Sequence, residues 1–345
     1  MENLKKVLSG EVVEPYVIAE ISANHGGNID NAKSLISSAK EAGANAVKLQ
    51  TFTADSITVN SLDENYSIPD SSTLWSGKNL YSLMKEAETP FEWHFELLKF
   101  SQSLGLEVFS TAYDIPAVEF LVKLGMTSIK VSSFDLINYP LLDYLAKTNL
   151  LVLISTGMGN MNEISAAAQI FSHRKKQTGF LQCTSSYPCT YADVNINRHQ
   201  SLKSFGYVTG YSDHTVSEIA AIMAIAKGAL IFEKHICLNG VASLDSEFSV
   251  DEKEFKRYVN QIHFAFSALG DSEFKPTSSE QASLWERPSV VAIRNIEKGE
   301  ILSLENIGIR RPSIGSKPEL FESFLHTKVN RFVKSGEGIH RNLLL

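Results

Sequence analysis

The chain contains few cysteines, no long hydrophobic run and no strongly basic segment. Its three cysteines, Cys183, Cys189 and Cys237, are odd in number and unevenly spaced, so we expect reduced thiols of a cytoplasmic protein rather than a disulfide framework. No apolar stretch reaches the ~20 residues that a membrane-spanning helix requires. The first residues also lack the apolar core of a signal peptide.

The charge pattern argues against nucleic acid as the main partner. The formal net charge is -7, and the lysines and arginines form no long run. A local cluster of lysines can still bind a small anion within an acidic protein. The chain also has no Walker loop and no nucleophilic triad, and the segment NHGG at residues 24–27 lacks the spacing of a dinucleotide-binding turn.

What the chain does contain is a repeated unit of a short apolar strand, a polar turn and an amphipathic helix. We predict eight strands, at residues 16–21, 46–50, 107–111, 128–133, 151–156, 180–184, 207–212 and 230–235. Eight such units predict an α/β fold of the (β/α)8 TIM-barrel class, with a doubly wound open sheet as the alternative. The first 14 residues are expected to form a strand or hairpin over the barrel floor.

Two segments interrupt this repeat. The connection from Thr53 to Pro90 is much longer than the others, and a loop of that length is usually functional. After about residue 270 the sequence becomes polar and rich in turn residues. We therefore predict a barrel domain at 1–270, a linker at 271–285 and a small β-rich module at 286–345.

Two strand ends indicate a metal site. The segments GYSDHT (210–215) and LIFEKH (230–235) each run from apolar into polar residues, which is typical of the reactive end of a barrel. Because side chains alternate along a strand, Ser212 and His214 share one face of their strand, and Glu233 and His235 share one face of theirs. If the strands are neighbours, both imidazoles could reach one divalent cation.

The remaining strand ends are rich in hydrogen-bond donors. Lys48 and Lys130 end the second and fourth strands, and serines or threonines end several others. Such a cluster is what a phosphate or carboxylate requires, because each of its oxygens accepts several hydrogen bonds. Asn24 and His25 follow the first strand, and Glu20 and Glu233 are the available acid–base groups.

In order along the chain, the motifs AEISANHGGN, AVKLQT, KVSS, STGM, CTSSYP, GYSDHT and EKH resemble those of the sialic acid synthase family. The C-terminal segment RPSVVAIRNIEKGEILSLENI, followed by RRPSIG, is similar to the family's antifreeze-like (SAF) domain. The resemblance implies a condensation of phosphoenolpyruvate with the open-chain aldehyde of an acetamido sugar. The products are then phosphate and a nine-carbon 2-keto (nonulosonic) acid.

The resemblance also implies roles for individual residues. His214 and His235 would hold a divalent metal, with Mn2+ favoured over Mg2+ or Co2+, and Glu20 and Glu233 would act in acid–base chemistry. Phosphoenolpyruvate would be bound by Lys48, Lys130, Ser133, Ser155, Ser185 and Ser212. The sugar would lie near Thr111, Tyr187 and Asp245, with Arg311 of the partner subunit entering from the SAF domain of a domain-swapped homodimer.

The finer features are most similar to the pseudaminic acid synthase branch, which uses 2,4-diacetamido-2,4,6-trideoxy-altrose. The segment SLDSEFSVDEKEF follows the last strand where sialic acid synthases proper carry a Gly-Pro-Asp-His type of segment. The segment NLYSLMKEAETPFEWH (79–94) adds to this likeness. The chain departs from the family pattern at Asp135, where a glutamate is common, and at Ala112 and Tyr113, which replace a Pro-Phe pair; these departures bear on sugar specificity more than on the chemistry. N-acetylneuraminate or legionaminate synthesis is the alternative within the family.

Two rival hypotheses belong to other classes. A non-catalytic sugar-binding homologue could keep the barrel, but it has no reason to retain Lys48, Glu20, His214 and His235 together. A metal-dependent aldolase acting on free pyruvate would use the two histidines but leave the lysine- and serine-rich cluster without a purpose.

Overall fold

A computed structural model of the chain describes residues 2–69 and 74–345, and its core is a closed barrel of eight parallel strands. The strands are β1 (Tyr16–Glu20), β2 (Ala46–Thr51), β3 (Glu107–Ala112), β4 (Ser128–Val131), β5 (Leu151–Ser155), β6 (Thr178–Cys183), β7 (Val208–Asp213) and β8 (Ile231–His235). They pair in chain order, and β1 pairs with β8 to close the ring. The predicted (β/α)8 fold is confirmed, and the open-sheet alternative is excluded.

Helices surround this barrel and pack their apolar faces against it. The described helices of the first 270 residues are α1 (Glu2–Ser9), α2 (Ile29–Ala42), α3 (Ala54–Ile57), α4 (Leu80–Ala87), α5 (Trp93–Ser103), α6 (Ile115–Lys123), α7 (Tyr139–Ala146), α8 (Met161–Ile170), α9 (Arg198–Lys203), α10 (Ile219–Ala226) and α11 (Glu252–Ser267); a further helix, α12 (Phe321–Phe324), lies in the C-terminal part of the chain. The boundaries of α2 follow from its sequence. The Asn28 side chain accepts a hydrogen bond from the Asp30 amide at its start, and Gly43 ends it with a left-handed φ of 90°.

The N-terminal segment corrects one prediction. Residues 2–9 form the helix α1 rather than a strand or hairpin, because Leu4, Val7 and Leu8 recur at helical spacing and bury one face. This face packs into the barrel floor with residues of six strands, in a cluster separate from the main core. The Glu107 carboxylate accepts the amides of Asn3 and Leu4, so it supplies the acceptor that the start of the helix needs.

The long connection predicted between β2 and β3 contains α3 and α4. Residues 70–73 of this connection lie outside the described residues. Within the described residues 2–69 and 74–345, no helix is long and apolar enough to cross a bilayer.

The chain separates into two compact units, Met1–Gly270 and Asp271–Leu345. The second unit has an antiparallel pair of strands, β9 (Ser289–Ala292) and β10 (Ile307–Arg310). It has a core of its own, formed by residues that include Val290, Ile296 and Phe324. The predicted small β-rich module at the C-terminus is therefore present.

The packing of α1 predicts a stability effect. Replacing the fully buried Leu4 with alanine should lower the free energy of unfolding by about 2–5 kcal/mol, because the barrel floor cannot refill the cavity. Denaturant unfolding followed by circular dichroism measures this change. Leu62, which is 96% exposed, provides the control, since Leu62→Ala should alter the stability little. Equal effects of the two substitutions would contradict the structural role of α1.

Candidate active site

The carboxyl ends of the barrel strands surround a cavity of about 850 Å³. Its lining includes most of the residues predicted for the site, namely Lys48, Thr111, Lys130, Ser133, Ser155, Ser185, Tyr187, Ser212, His214, Glu233, His235 and Asp245. Glu20 is fully buried outside this lining, where its carboxylate contacts Lys48. The barrel thus brings residues from all eight strands or the loops after them to one place.

The two histidines are neighbours in this cavity. Pairing of β7 with β8 aligns Ser212 with Glu233, and the rings of His214 and His235 follow on the same side. The ring centroids lie 5.5 Å apart in an edge-to-face arrangement. The alternation expected from the sequence therefore holds.

The residues around these rings fit a divalent metal. Nδ1 of His214 lies 2.9 Å from the Thr184 carbonyl, which favours a proton on Nδ1 and leaves the other nitrogen as a possible ligand. The Nδ1 atom of His235 is buried without a hydrogen-bond partner in the described residues. Burial and the charge of His214 hold the pKa of His235 well below its ordinary value, so its ring is neutral and has a free lone pair.

A metal at this position would have few protein ligands. Among residues 2–69 and 74–345, no group of three or more histidine, cysteine, aspartate or glutamate side chains is arranged to hold a cation. Two histidines leave the other coordination positions to water or substrate, which is the open arrangement of a catalytic site. Burial lowers the pKa of His214, but Cys183 and the Thr184 carbonyl outweigh it and raise the pKa above its ordinary value.

One side of the cavity is built to receive an anion. Nζ of Lys130 donates to Oγ of Ser155 at 2.5 Å, and the amide of Gly157 donates to Oγ of Ser133 at 3.0 Å. A side chain at position 157 would collide with the hydroxyls of Ser133 and Ser185. The glycine thus lets two serine hydroxyls approach the backbone beside a lysine, and together they can surround a phosphate or carboxylate.

Lys130 of this anion site belongs to a group of four buried ionisable side chains. Nζ of Lys48 forms an ion pair with the Glu20 carboxylate and lies 3.8 Å from Oε1 of Glu233. Nζ of Lys130 lies 4.0 Å from the other oxygen of Glu233. Lys48 also donates to Oγ1 of Thr111 at 2.8 Å. Two lysines and two glutamates therefore neutralise one another away from water.

The two carboxylates differ in their affinity for protons. Burial raises the pKa of Glu20, Lys48 opposes the increase and the charge of Glu233 adds to it, so that the pKa is about 7. Burial also disfavours the charged form of Glu233, but Lys130, Lys48 and His214 outweigh it and hold the pKa below its ordinary value. Glu233 is therefore charged near neutrality, while Glu20 can give or take a proton there.

Another part of the cavity lining is apolar. The rings of Trp75, Tyr187 and Phe248 form a cluster in which Tyr187 and Phe248 are 4.8 Å apart and Trp75 and Phe248 are 6.1 Å apart. Further apolar residues of the β2–β3 connection complete this wall, namely Ile57, Ile68, Leu80, Leu83, Met84 and Ala87. We call these nine residues the apolar wall.

Two further residues of the site have no role assigned above, namely Ser22 of the 3-10 helix directly after β1 and Gln50 of β2. The Ser22 hydroxyl donates to the Asp245 carboxylate, and the Ser22 backbone has a φ of 49°, which is uncommon for a serine. The Gln50 amide donates to Ser22 at 2.9 Å and to Glu20 at 3.2 Å. Strand alternation places Gln50 on the same face as Lys48, whereas Ser22 lies beyond β1, where alternation no longer applies.

Some strand-end residues lie away from the cavity. Asn24 donates to the Ile236 carbonyl at 2.9 Å, and His25 packs edge-on against Trp93 with ring centroids 5.5 Å apart. Both belong to a short 3-10 helix after β1, which turns their side chains toward neighbouring loops and helices. Arg311 belongs to the second unit, where its side chain is 73% exposed and lies 3.9 Å from Glu286.

Comparison with known proteins gives consistent matches over the whole chain. Residues 35–274 match the NeuB family, and residues 287–345 match the SAF domain. A protein named pseudaminic acid synthase from Campylobacter jejuni serotype O:2 is 36% identical over 327 residues, which cover 94% of this chain and 95% of the relative. A protein named N,N'-diacetyllegionaminic acid synthase from Legionella pneumophila is 32% identical, over 95% of this chain and 94% of the relative.

A solved structure shows the same likeness. The N-acetylneuraminic acid synthetase of Leptospira borgpetersenii, crystallised with citrate, is 30% identical, and the match covers 79% of this chain and 90% of that chain with a TM-score of 0.69. The family match covers more than half of the chain, and it agrees with the resemblance carried by the strand-end motifs. The chain therefore belongs to the NeuB family of sialic acid synthases.

Proposed function

We propose that the protein condenses phosphoenolpyruvate with the open-chain aldehyde of an acetamido sugar to give a nonulosonic acid and phosphate. The observation that carries this proposal is the cavity itself, where the Lys130, Ser133 and Ser155 anion site lies in one space with the histidine pair. An anionic enol substrate and an aldehyde need these two environments side by side. The names of the relatives, which are synthases of three such acids, support the same reaction.

The reaction forms a carbon–carbon bond and a carbon–oxygen bond to water, and it breaks the carbon–oxygen bond to phosphate. Carbon 3 of phosphoenolpyruvate attacks the aldehyde carbon, which leaves an oxocarbenium-like carbon 2. Water adds to carbon 2, and the bond from carbon 2 to the phosphate oxygen then breaks. Carbon 2 becomes a carbonyl as this bond breaks. One proton of the water replaces the proton given to the new sugar hydroxyl, and the other leaves with the phosphate.

The protein's own groups stabilise these charges. Lys48, Lys130 and the serines, with Ser185 and Ser212 among them, hold the phosphate and carboxylate of phosphoenolpyruvate. The charged Glu233 stabilises the cationic carbon 2. Glu20, with a pKa of about 7, supplies the proton that the aldehyde oxygen takes up.

His214 and His235 are the residues that would hold the divalent cation, which we propose to be Mn2+, with Mg2+ or Co2+ as substitutes. When bound, such a cation polarises the aldehyde carbonyl and makes its carbon a better electrophile. The contact of His214 Nδ1 with the Thr184 carbonyl and the partnerless Nδ1 of His235 support this assignment.

We propose 2,4-diacetamido-2,4,6-trideoxy-altrose as the sugar, which makes the product pseudaminic acid. This sugar ends in a methyl group and carries two acetamido methyls, and the apolar wall offers a matching surface. Thr111 and Asp245 lie in the same cavity and can bind its polar groups. N-acetylneuraminate or legionaminate synthesis is the alternative.

The proposal also covers assembly and location. We propose a homodimer that exchanges its SAF domains, so that Arg311 of the partner subunit reaches the sugar; the exposure of this side chain supports the idea. A cytoplasmic location is supported by the three cysteines, which are all free and buried.

The sugar assignment is tested by offering the altrose compound and N-acetylmannosamine together and measuring the products by mass spectrometry. We expect kcat/KM to be ~10-fold or more higher for the altrose compound, because a hydroxyl facing the apolar wall loses hydration without gaining a partner. Product from N-acetylmannosamine alone would overturn the assignment. Phosphate release is measured in parallel: its absence with every sugar would indicate a non-catalytic homologue, and product from free pyruvate would indicate an aldolase.

Removal of the metal should abolish turnover. Treatment with excess chelator removes the cation from the two histidines, and added Mn2+ should restore the rate, because the aldehyde is otherwise not polarised. Phosphate release from phosphoenolpyruvate measures both steps. Full activity in excess chelator would show that the reaction uses no dissociable metal.

The pKa of Glu20 predicts a pH dependence. Glu20 is protonated below a pH of about 7 and charged above it, so an acid role requires that kcat/KM for the sugar falls as the pH rises through this value. Glu20→Gln should lower kcat/KM by ~100-fold or more and remove this descending limb. The matched control is Glu41→Gln, at an exposed position of α2, which should keep the limb. A limb that persists in Glu20→Gln belongs to another group.

A further inference from the structure

The residues next to the two histidines form a second buried cluster on the outer side of β7 and β8. Alternation turns Asp213 and Lys234 away from the cavity, and the pairing of the strands aligns them directly. Nζ of Lys234 lies 3.6 Å from Oδ1 of Asp213, and both side chains are fully buried. Neither residue lines the cavity, and the proposed reaction uses neither of them.

Both side chains hold the backbone that carries His214. The Asp213 carboxylate accepts hydrogen bonds from the Thr215 amide at 2.9 Å and from the Thr215 hydroxyl at 2.8 Å. Lys234 donates to the Thr215 carbonyl and lies 3.5 Å from the Asp213 carbonyl. The residues on both sides of His214 are therefore bound to the side chain that precedes His235.

The surroundings keep Lys234 in place. Its ammonium lies 5.5 Å from the ring centroid of Tyr258, a buried residue of α11, so its position is set by the helix layer as well as by the strands. A buried ion pair is costly to desolvate and is weak evidence for stability. The pair lies directly before the two histidines, with Asp213 before His214 and Lys234 before His235, and this location points to another role.

We propose that Asp213 and Lys234 are positioning residues that set the separation and orientation of His214 and His235 for a shared divalent cation. One ion pair joins the two strands at the level of the histidines, and its hydrogen bonds fix the turn in which β7 ends. Groups that orient metal ligands without touching the metal commonly change metal affinity when they are replaced. This role rests on the metal site of the proposed function.

The test is the affinity for Mn2+, measured by titration with the paramagnetic resonance signal of free Mn2+. Asp213→Asn keeps the side-chain volume and an oxygen that can accept from Thr215. The double variant Asp213→Asn with Lys234→Met removes both charges and leaves no unpaired charge, so it should fold. We expect each variant to bind Mn2+ ~10- to 100-fold more weakly than the unmodified chain.

The matched control is Leu4→Ala, which should destabilise the fold at the opposite end of the barrel. A general loss of stability would weaken Mn2+ binding in all three variants alike, whereas a positioning role leaves Leu4→Ala with the affinity of the unmodified chain. Circular dichroism establishes which variants are folded, and either Asp213 variant is sufficient for the test.

The outcomes separate this role from the proposed function. If the unmodified chain binds Mn2+ and a folded Asp213 variant binds it equally well, the positioning role is wrong and the metal site stands. If the unmodified chain binds no Mn2+, the metal site of the proposed function fails as well.

Discussion

Closure of the barrel is the constraint on which the rest of the site depends. The pairing of β1 with β8 aligns the backbone of Glu20 with that of His235, although the two residues are more than 200 positions apart in the chain. Each remaining strand then delivers its last residues to the same end of the ring. Without this pairing, Glu20 and Lys48 would not lie close to Glu233 and the two histidines.

Closure of the barrel brings together the buried side chains of Glu20, Lys48, Lys130 and Glu233. Four ionisable groups are taken out of water at a high desolvation cost, which their mutual pairing and their hydrogen bonds to neighbouring side chains offset. Because these groups are already held in place, no solvent has to reorganise around them when charge develops on the substrate. The same burial separates the pKa values of Glu20 and Glu233, so that one carboxylate can transfer protons while the other stays charged.

The lining of the cavity has a polar part and an apolar part, and they come from different segments of the chain. Strand ends supply the lysines and serines, whereas the β2–β3 connection supplies much of the apolar wall. Reaction chemistry and sugar preference can therefore vary separately, since a change in the connection leaves the strand ends in place. This division agrees with a family whose members are named for different nonulosonic acids.

The amino-acid sequence by itself determined the barrel, its strands to within one or two residues, and the identity of most cavity residues. Where an apolar run ends in Lys48, Lys130, Ser212 or Glu233, the alternation of side chains along a strand indicates which residues face the cavity. The tertiary structure decided what alternation cannot show. The sequence did not reveal that residues 2–9 form a helix in the barrel floor, or that Asp213 and Lys234 meet behind the histidines. These arrangements depend on contacts between distant segments, and local sequence patterns carry no information about which distant segment supplies the partner.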